Sequence, residues 1–110
     1  MTLEARNCLK QLQGMFRGLI GIEPGDAEYA DFNDYLVALK ITKEDLHAWG
    51  VADFASKRPP TETQLRGMLG YCKKWDGMSN ILEMRFKPSE LMDFETAIND
   101  YVFLGTQLNG

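Results

Sequence analysis

Several residue types that commonly mark catalytic or secreted proteins are scarce in this chain. Its 110 residues contain only two cysteines and a single histidine, His47. Two cysteines do not form a disulfide framework, and both fall on apolar positions of predicted helices, so we expect buried thiols. His47 has no Ser or Cys at motif spacing and no second imidazole, and we therefore expect it to be a partly exposed helix residue. The sequence thus predicts no catalytic site.

Targeting and ligand-binding signatures are also missing. No apolar run reaches the ~18–20 residues of a membrane span, and the N-terminus lacks the apolar stretch of a signal peptide. The glycine-rich phosphate signature and the oxygen-ligand pattern of a calcium loop are absent as well. We expect a cytoplasmic, reduced protein that has no metal or cofactor, is not an enzyme and is not bound to a membrane.

The apolar residues that remain recur mainly at helical spacing. A 45% hydrophobic content is enough for one globular domain, and we assign residues 1–110 to it. The predicted fold is an all-α bundle of about five helices, and for the short apolar segment near residues 80–87 a strand pair and a helical turn remain alternatives. The predicted helices cover residues 2–20, from Asp26 to Leu39, 43–50, 62–75, and from Ser89 or Asp93 to Gly105.

Local signals predict where these helices begin and end. Thr42 and Thr61 are expected to cap helices through boxes completed by Asp45 and Gln64, and Asp26 is expected to cap the second helix. Glycines predict helix ends: a left-handed Gly21, a Schellman-type closure at Gly50, a turn at Asp76-Gly77 and a last helix that ends at Gly105. On the second helix, Tyr35 and Val37 are expected to widen the buried face.

Charge is distributed unevenly although the net charge is only −4. Residues 23–39 contain five acids and no base, whereas residues 57–75 contain five bases and one acid. We expect one acidic and one basic face. The candidate acidic face consists of Glu28, Asp31 and Asp34.

The basic segment runs through a double proline into the fourth helix. Its candidate partner-binding residues are Lys57, Arg58, Arg66, Gly70, Lys73, Lys74 and Trp75. Gly67 and Gly70 suggest close approach, either by a neighbouring helix or by a bound partner, since glycine costs about 1 kcal/mol in a helix interior. Tyr71 and Trp75 are expected to be available for stacking. The surface could therefore contact an acidic protein or nucleic-acid phosphates.

Residues 1–70 carry a series of short motifs that together resemble one known group of proteins. The matching positions are Met1-Thr2, Phe16, Tyr35–Leu39, Ile41, Glu44-Asp45-Leu46, Ala48, Arg58-Pro59-Pro60-Thr61 and Leu65-Arg66. This pattern resembles the helical N-terminal domains of phage replication proteins, the helicase loaders and loader inhibitors. The resemblance implies a non-enzymatic phage or prophage accessory protein that binds the replicative helicase or another host protein. Two alternatives remain: a DNA-binding protein that uses the basic helix, and an inhibitor of a host defence nuclease that acts through the acidic face.

Overall fold

The computed structural model describes residues 3–51, 59–78 and 85–109, and the description below is confined to them. Within these ranges the regular structure is entirely helical, so the predicted all-α bundle is confirmed. The helices are α1 (Leu3–Ile20), α2 (Tyr29–Ala38), α3 (Lys43–Gly50), α4 (Glu62–Met78) and α5 (Pro88–Asn109). Residues 79–84 lie outside the described ranges. They include most of the segment near residues 80–87, for which a strand pair and a helical turn were the alternatives.

Helix α1 forms the centre of the bundle. It packs against α3 and α5, α5 also packs against α4, and α4 contacts α2. Helical spacing predicts an apolar stripe on α1 that consists of Ala5, Cys8, Leu9, Leu12, Phe16, Leu19 and Ile20. Within it, Leu12, Phe16 and Leu19 are fully inaccessible to solvent. Met15 is equally buried although it was not part of the predicted stripe. Because α1 has helices on more than one side, its buried face is wider than a single stripe.

The crossing of α1 and α3 depends on Gly50. A Cβ atom at this position would lie 2.5 Å from Cδ1 of Ile20 and 3.1 Å from the backbone nitrogen of Arg17. The Arg17 side chain in turn donates to the Gly50 carbonyl at 3.3 Å. Glycine here allows the backbones of the two helices to approach closely, which is a different role from the predicted Schellman closure.

The left-handed residue of the described chain is Lys40 rather than a glycine. Its φ is 58°, whereas no described glycine has a positive φ, so the left-handed conformation predicted at Gly21 and the Schellman-type closure predicted at Gly50 were wrong. The helix ends predicted there were correct, because α1 ends at Ile20 and α3 ends at Gly50. The amide of Ile41 donates to Leu36 at 2.9 Å, and that of Lys40 donates to Val37 at 3.1 Å. These two bonds form a Schellman motif that closes α2.

The two threonine caps were predicted correctly. Asp45 and Thr42 exchange reciprocal bonds at 3.0 and 3.1 Å, and Thr61 and Gln64 do so at 2.9 and 3.1 Å. Asp26 does not cap α2, because its carboxylate accepts the Glu23 amide at 2.9 Å within the preceding turn. The cap position of α2 is Glu28, whose side chain makes no capping bond.

Three further expectations were wrong. Helix α4 continues through Asp76-Gly77 to Met78, and α5 continues past Gly105 to Asn109. A glycine costs a helix only about 1 kcal/mol, so it does not by itself stop one. Val37 is 71% exposed and does not widen the buried face of α2.

Candidate functional site

Helix α4 presents two neighbouring stripes of side chains, one toward α5 and one toward α2. Arg66, Gly70 and Lys73 follow one another at spacings of four and three residues and form the first stripe. The second stripe starts one residue later, with Gly67, Tyr71 and Lys74, and continues to Trp75. The predicted partner-binding residues of α4 therefore divide between two surfaces.

The first stripe is joined to α5 by exposed polar contacts. Arg66 donates to Glu62 at 2.7 Å and to the side-chain oxygen of Asn99 at 2.9 Å. Lys73 donates to Glu95 at 2.6 Å. The Lys73 ammonium also lowers the pKa of the Glu95 carboxyl. All four charged side chains remain roughly half exposed, so both cations are neutralised but accessible.

Gly70 lies between these two cations and is exposed. A Cβ atom built there would meet nothing within 4 Å, so packing inside the domain does not require a glycine. Gly67 differs, because its Cβ would lie 2.6 Å from both terminal carbons of Leu39. The close approach expected from the glycine pair is thus made at Gly67, by the end of α2.

The second stripe is attached to α2 through Asp31. Lys74 donates to this carboxylate at 3.0 Å, and the indole nitrogen of Trp75 donates to it at 2.7 Å. The indole bond, followed by the Lys74 ammonium, lowers the pKa of the Asp31 carboxyl. The same carboxylate raises the pKa of Lys74, whose ammonium also lies 5.7 Å from the ring centre of Tyr35.

A more deeply placed polar cluster adjoins this contact. Glu28 accepts two bonds from the Arg85 guanidinium through one oxygen and the Tyr71 hydroxyl, at 3.2 Å, through the other. Arg85 also donates to the Gly18 carbonyl at 3.1 Å. Tyr71 is only 1% exposed, and its burial, followed by the Glu28 charge, raises the pKa of its hydroxyl. The expectation that Tyr71 is available for stacking was therefore wrong.

The predicted acidic and basic faces are thus partly bound to each other. Arg66, Lys73 and Lys74 each carry a carboxylate partner from the same chain. On the acidic side Glu28 and Asp31 are engaged, whereas Asp34 is exposed and has no partner among the described residues. The basic corner of Lys57 and Arg58 lies outside the residues that the structure describes.

Two candidate contact residues were missed by the sequence analysis. Met92 is 72% exposed and Phe103 is 62% exposed, and both lie on α5. Their signal was present, because both are large apolar residues outside the buried stripe that helical spacing predicts for this helix, which consists of Leu91, Phe94, Ala97, Ile98, Tyr101 and Leu104. Exposed large apolar side chains on one helix face, rimmed by polar residues, are a feature of contact surfaces.

The histidine and the first cysteine occupy ordinary positions. His47 is exposed on α3, as expected, and borders a pocket whose described lining contains no carboxylate. Cys8 is buried and its thiol donates to the Ala97 carbonyl at 2.9 Å. Burial raises the pKa of this thiol to about 11, which keeps it protonated and poorly nucleophilic at neutral pH.

Comparison with protein-family models found no match, and comparisons with curated proteins and with solved structures found none either. In the described ranges, no helix is both long and apolar enough to cross a membrane. The same ranges contain no group of three or more His, Cys, Asp or Glu side chains arranged to hold a metal ion.

Proposed function

We propose that this chain is a non-enzymatic accessory protein that binds a protein partner through the face shared by α4 and α5. The face is defined here by Arg66, Gly70 and Lys73 on α4 and by Met92, Glu95, Asn99 and Phe103 on α5. The observation that carries the proposal is the composition of this face. Its cations Arg66 and Lys73 are paired with carboxylates of the same chain, and the apolar side chains of Met92 and Phe103 are exposed.

The α5 half of this face is a continuous stripe. Met92 and Phe103 are eleven residues apart, which is close to three helical turns and about 16 Å along the axis. Glu95 and Asn99 lie between them on the same side of the helix. These two side chains also receive Lys73 and Arg66, so the stripe is continuous with the exposed part of α4.

The charge balance favours a protein partner over nucleic acid. Binding to phosphates draws its free energy from cations that release counterions, and each cation must be available to a phosphate. Here Arg66 and Lys73 are matched by Glu62 and Glu95, which would repel a phosphate backbone. Apolar anchors surrounded by polar side chains are instead typical of contacts between proteins.

The resemblance of residues 1–70 to phage helicase loaders and loader inhibitors supports a partner in the replication machinery. On this basis we assign the chain to a phage or prophage and take the replicative helicase as its first candidate partner. The α4–α5 face includes Arg66, Gly70 and Lys73 from the originally predicted contact set. It adds the two apolar residues of α5.

Gly70 offers the sharpest test, since it is exposed and a Cβ atom built there meets nothing within 4 Å. Gly70→Trp should block the face without disturbing the core, and Gly70→Ala is the matched control. Each protein is immobilised and incubated with a bacterial host lysate, with and without nuclease, and the captured polypeptides are identified by mass spectrometry. Wild type and Gly70→Ala should retain a replication protein after nuclease treatment, and Gly70→Trp should lose it.

The remaining outcomes distinguish the parts of the proposal. If Gly70→Trp captures the same protein as wild type, the α4–α5 face is not the binding site. If nuclease treatment abolishes the capture, DNA binding is favoured over a direct protein contact. A labelled oligonucleotide then gives an independent check, because phosphate binding weakens log-linearly with salt. Specific capture of a protein unrelated to replication would contradict the assigned partner but not the binding face.

A further inference from the structure

A second feature of the fold is an apolar pocket that shares no residue with the α4–α5 face. It has a volume of about 240 Å³ and lies between the end of α1, the following loop, α2 and α3. Its walls include the buried side chains of Leu19, Ile22, Phe32, Leu36 and Leu46. An apolar cavity of about 150 Å³ already accommodates benzene, so this pocket has room for a larger ring or branched chain.

Three polar side chains that line the pocket, Asn33, Lys43 and His47, are exposed and so define its solvent side, which we call its mouth. Lys43 and His47 are four residues apart on α3 and therefore point to the same side of that helix. Asn33 contributes an exposed amide from α2. The described lining of the pocket contains no acidic residue. Among the described residues Lys43 has no ion-pair partner, unlike the three cations of α4.

We infer that this pocket is a binding site for a small apolar carboxylate. Its aromatic or branched aliphatic group would occupy the space between the buried walls, and its carboxylate would face the Lys43 ammonium and the His47 ring. Hydrophobic burial supplies most of the affinity, and the charge at the mouth determines the orientation and selects acids over amines. An apolar pocket with a few convergent polar groups is the usual form of a small-molecule site.

A free small molecule fits the geometry better than a peptide chain does. The pocket has a volume of about 240 Å³, enough for one apolar group, and the exposed residues Asn33, Lys43 and His47 are part of its lining. An extended peptide would also need a groove leading away from the mouth. We therefore assign the site to a free carboxylate ligand.

The test is a titration of the full chain, labelled with ¹⁵N, followed by amide chemical shifts. The probe is 4-phenylbutyrate, and the matched probes are the uncharged 4-phenyl-1-butanol and the cationic 4-phenylbutylamine. Saturable shifts are expected around Leu36, Leu46 and His47, with a Kd of about 1 mM or tighter for the acid. The alcohol should bind about tenfold more weakly, and the amine weaker still.

Two variants connect the effect to the mouth of the pocket. Lys43→Glu should weaken acid binding about tenfold and remove the preference over the alcohol. Lys10→Glu changes the net charge equally at an exposed position of α1 outside the pocket, and should bind like wild type. Asn33→Trp places a bulky group at the mouth and should weaken all three probes.

Several results would overturn the inference. These are the absence of shifts at the pocket with every probe, equal binding of acid and amine, or equal losses in Lys43→Glu and Lys10→Glu. A tripeptide, Gly-Gly-Phe with a free carboxyl terminus, is titrated in parallel. If it binds this pocket much more tightly than 4-phenylbutyrate does, the occupant is a peptide end and the small-molecule assignment is wrong. None of these results bears on the α4–α5 face, because the two surfaces have no residue in common.

Discussion

The two sides of α4 carry similar residues but hold their charges differently. Toward α2, Lys74 and Trp75 share one carboxylate, and the adjoining Tyr71, Glu28 and Arg85 form a partly buried cluster. Toward α5, Arg66 and Lys73 form ion pairs whose members are about half exposed. Partly buried charges with several hydrogen bonds contribute to stability, whereas exposed pairs contribute little.

This difference distinguishes charged side chains that stabilise the fold from charged side chains that remain available to a binding partner. Exchanging an exposed ion pair for a partner's side chains costs the domain little, because solvent already screens that pair. Removing the Glu28 carboxylate would take one acceptor from the buried Tyr71 hydroxyl and from the Arg85 guanidinium. The proposed partner would therefore disturb the fold least if it binds at the α5 side of the helix.

The largest effect that should distinguish the two sides is that of removing the Glu28 charge. Glu28→Gln keeps the shape of the side chain but weakens three hydrogen bonds, two of them from a guanidinium. We expect the free energy of unfolding to fall by about 2 kcal/mol. The measurement is urea denaturation at pH 7 monitored by circular dichroism.

The matched control on the other side is Glu95→Gln, which removes the carboxylate of an exposed pair. We expect its denaturation midpoint to coincide with that of wild type. If both variants were equally destabilised, the distinction between structural and available charge on α4 would be wrong.

The next largest effect uses the two glycines of α4. Gly67→Ala would bring a methyl group 2.6 Å from Leu39, and Gly70→Ala would meet nothing within 4 Å. Alanine is favoured over glycine in a helix by up to about 1 kcal/mol, so Gly70→Ala should stabilise by roughly that amount. Gly67→Ala should destabilise by about 1 kcal/mol, since overpacking outweighs the same helix gain.

Thermal unfolding of both variants checks this prediction. The melting temperature should move in opposite directions, by about 4–8 °C for each kcal/mol in a domain near this size. Stabilisation by both substitutions would mean that Leu39 moves aside easily and that Gly67 is not needed for packing against α2.

Features that depend on local chemistry were predictable from the sequence. Thr42 with Asp45 and Thr61 with Gln64 form their capping boxes, because such boxes involve residues only three positions apart. The left-handed turn at Lys40 was not predictable from residue type. It is maintained by hydrogen bonds that close α2, while Ile41 and Leu36 are buried in the core.

The candidate site was only partly predictable for a related reason. The sequence shows an acidic and a basic segment, but Asp31 and Lys74 are 43 positions apart, and only the fold brings them together. Arg66 and Asn99, 33 positions apart, are a similar case. Met92 and Phe103 could have been identified earlier, because they are apolar residues opposite the buried stripe of their own helix.

The smallest predicted effect concerns pH and tests the α2 side directly. The indole of Trp75 and the ammonium of Lys74 lower the pKa of Asp31 below its ordinary value of 3.8. A carboxyl whose pKa is lower in the folded state stabilises the protein fully above its unfolded pKa, and this contribution disappears as the pH falls through the folded pKa.

Asp31→Asn should therefore cost about 0.5 to 1 kcal/mol at pH 7, a modest value because the carboxylate is partly exposed. The difference between the urea midpoints of the two proteins, measured between pH 7 and pH 3, should stay constant down to about pH 4 and then shrink as the pH falls further. If the difference stayed constant down to pH 3, the loss at Asp31 would come from packing rather than from its charge. The charges on the α2 side of α4 would then contribute as little to stability as those on the α5 side.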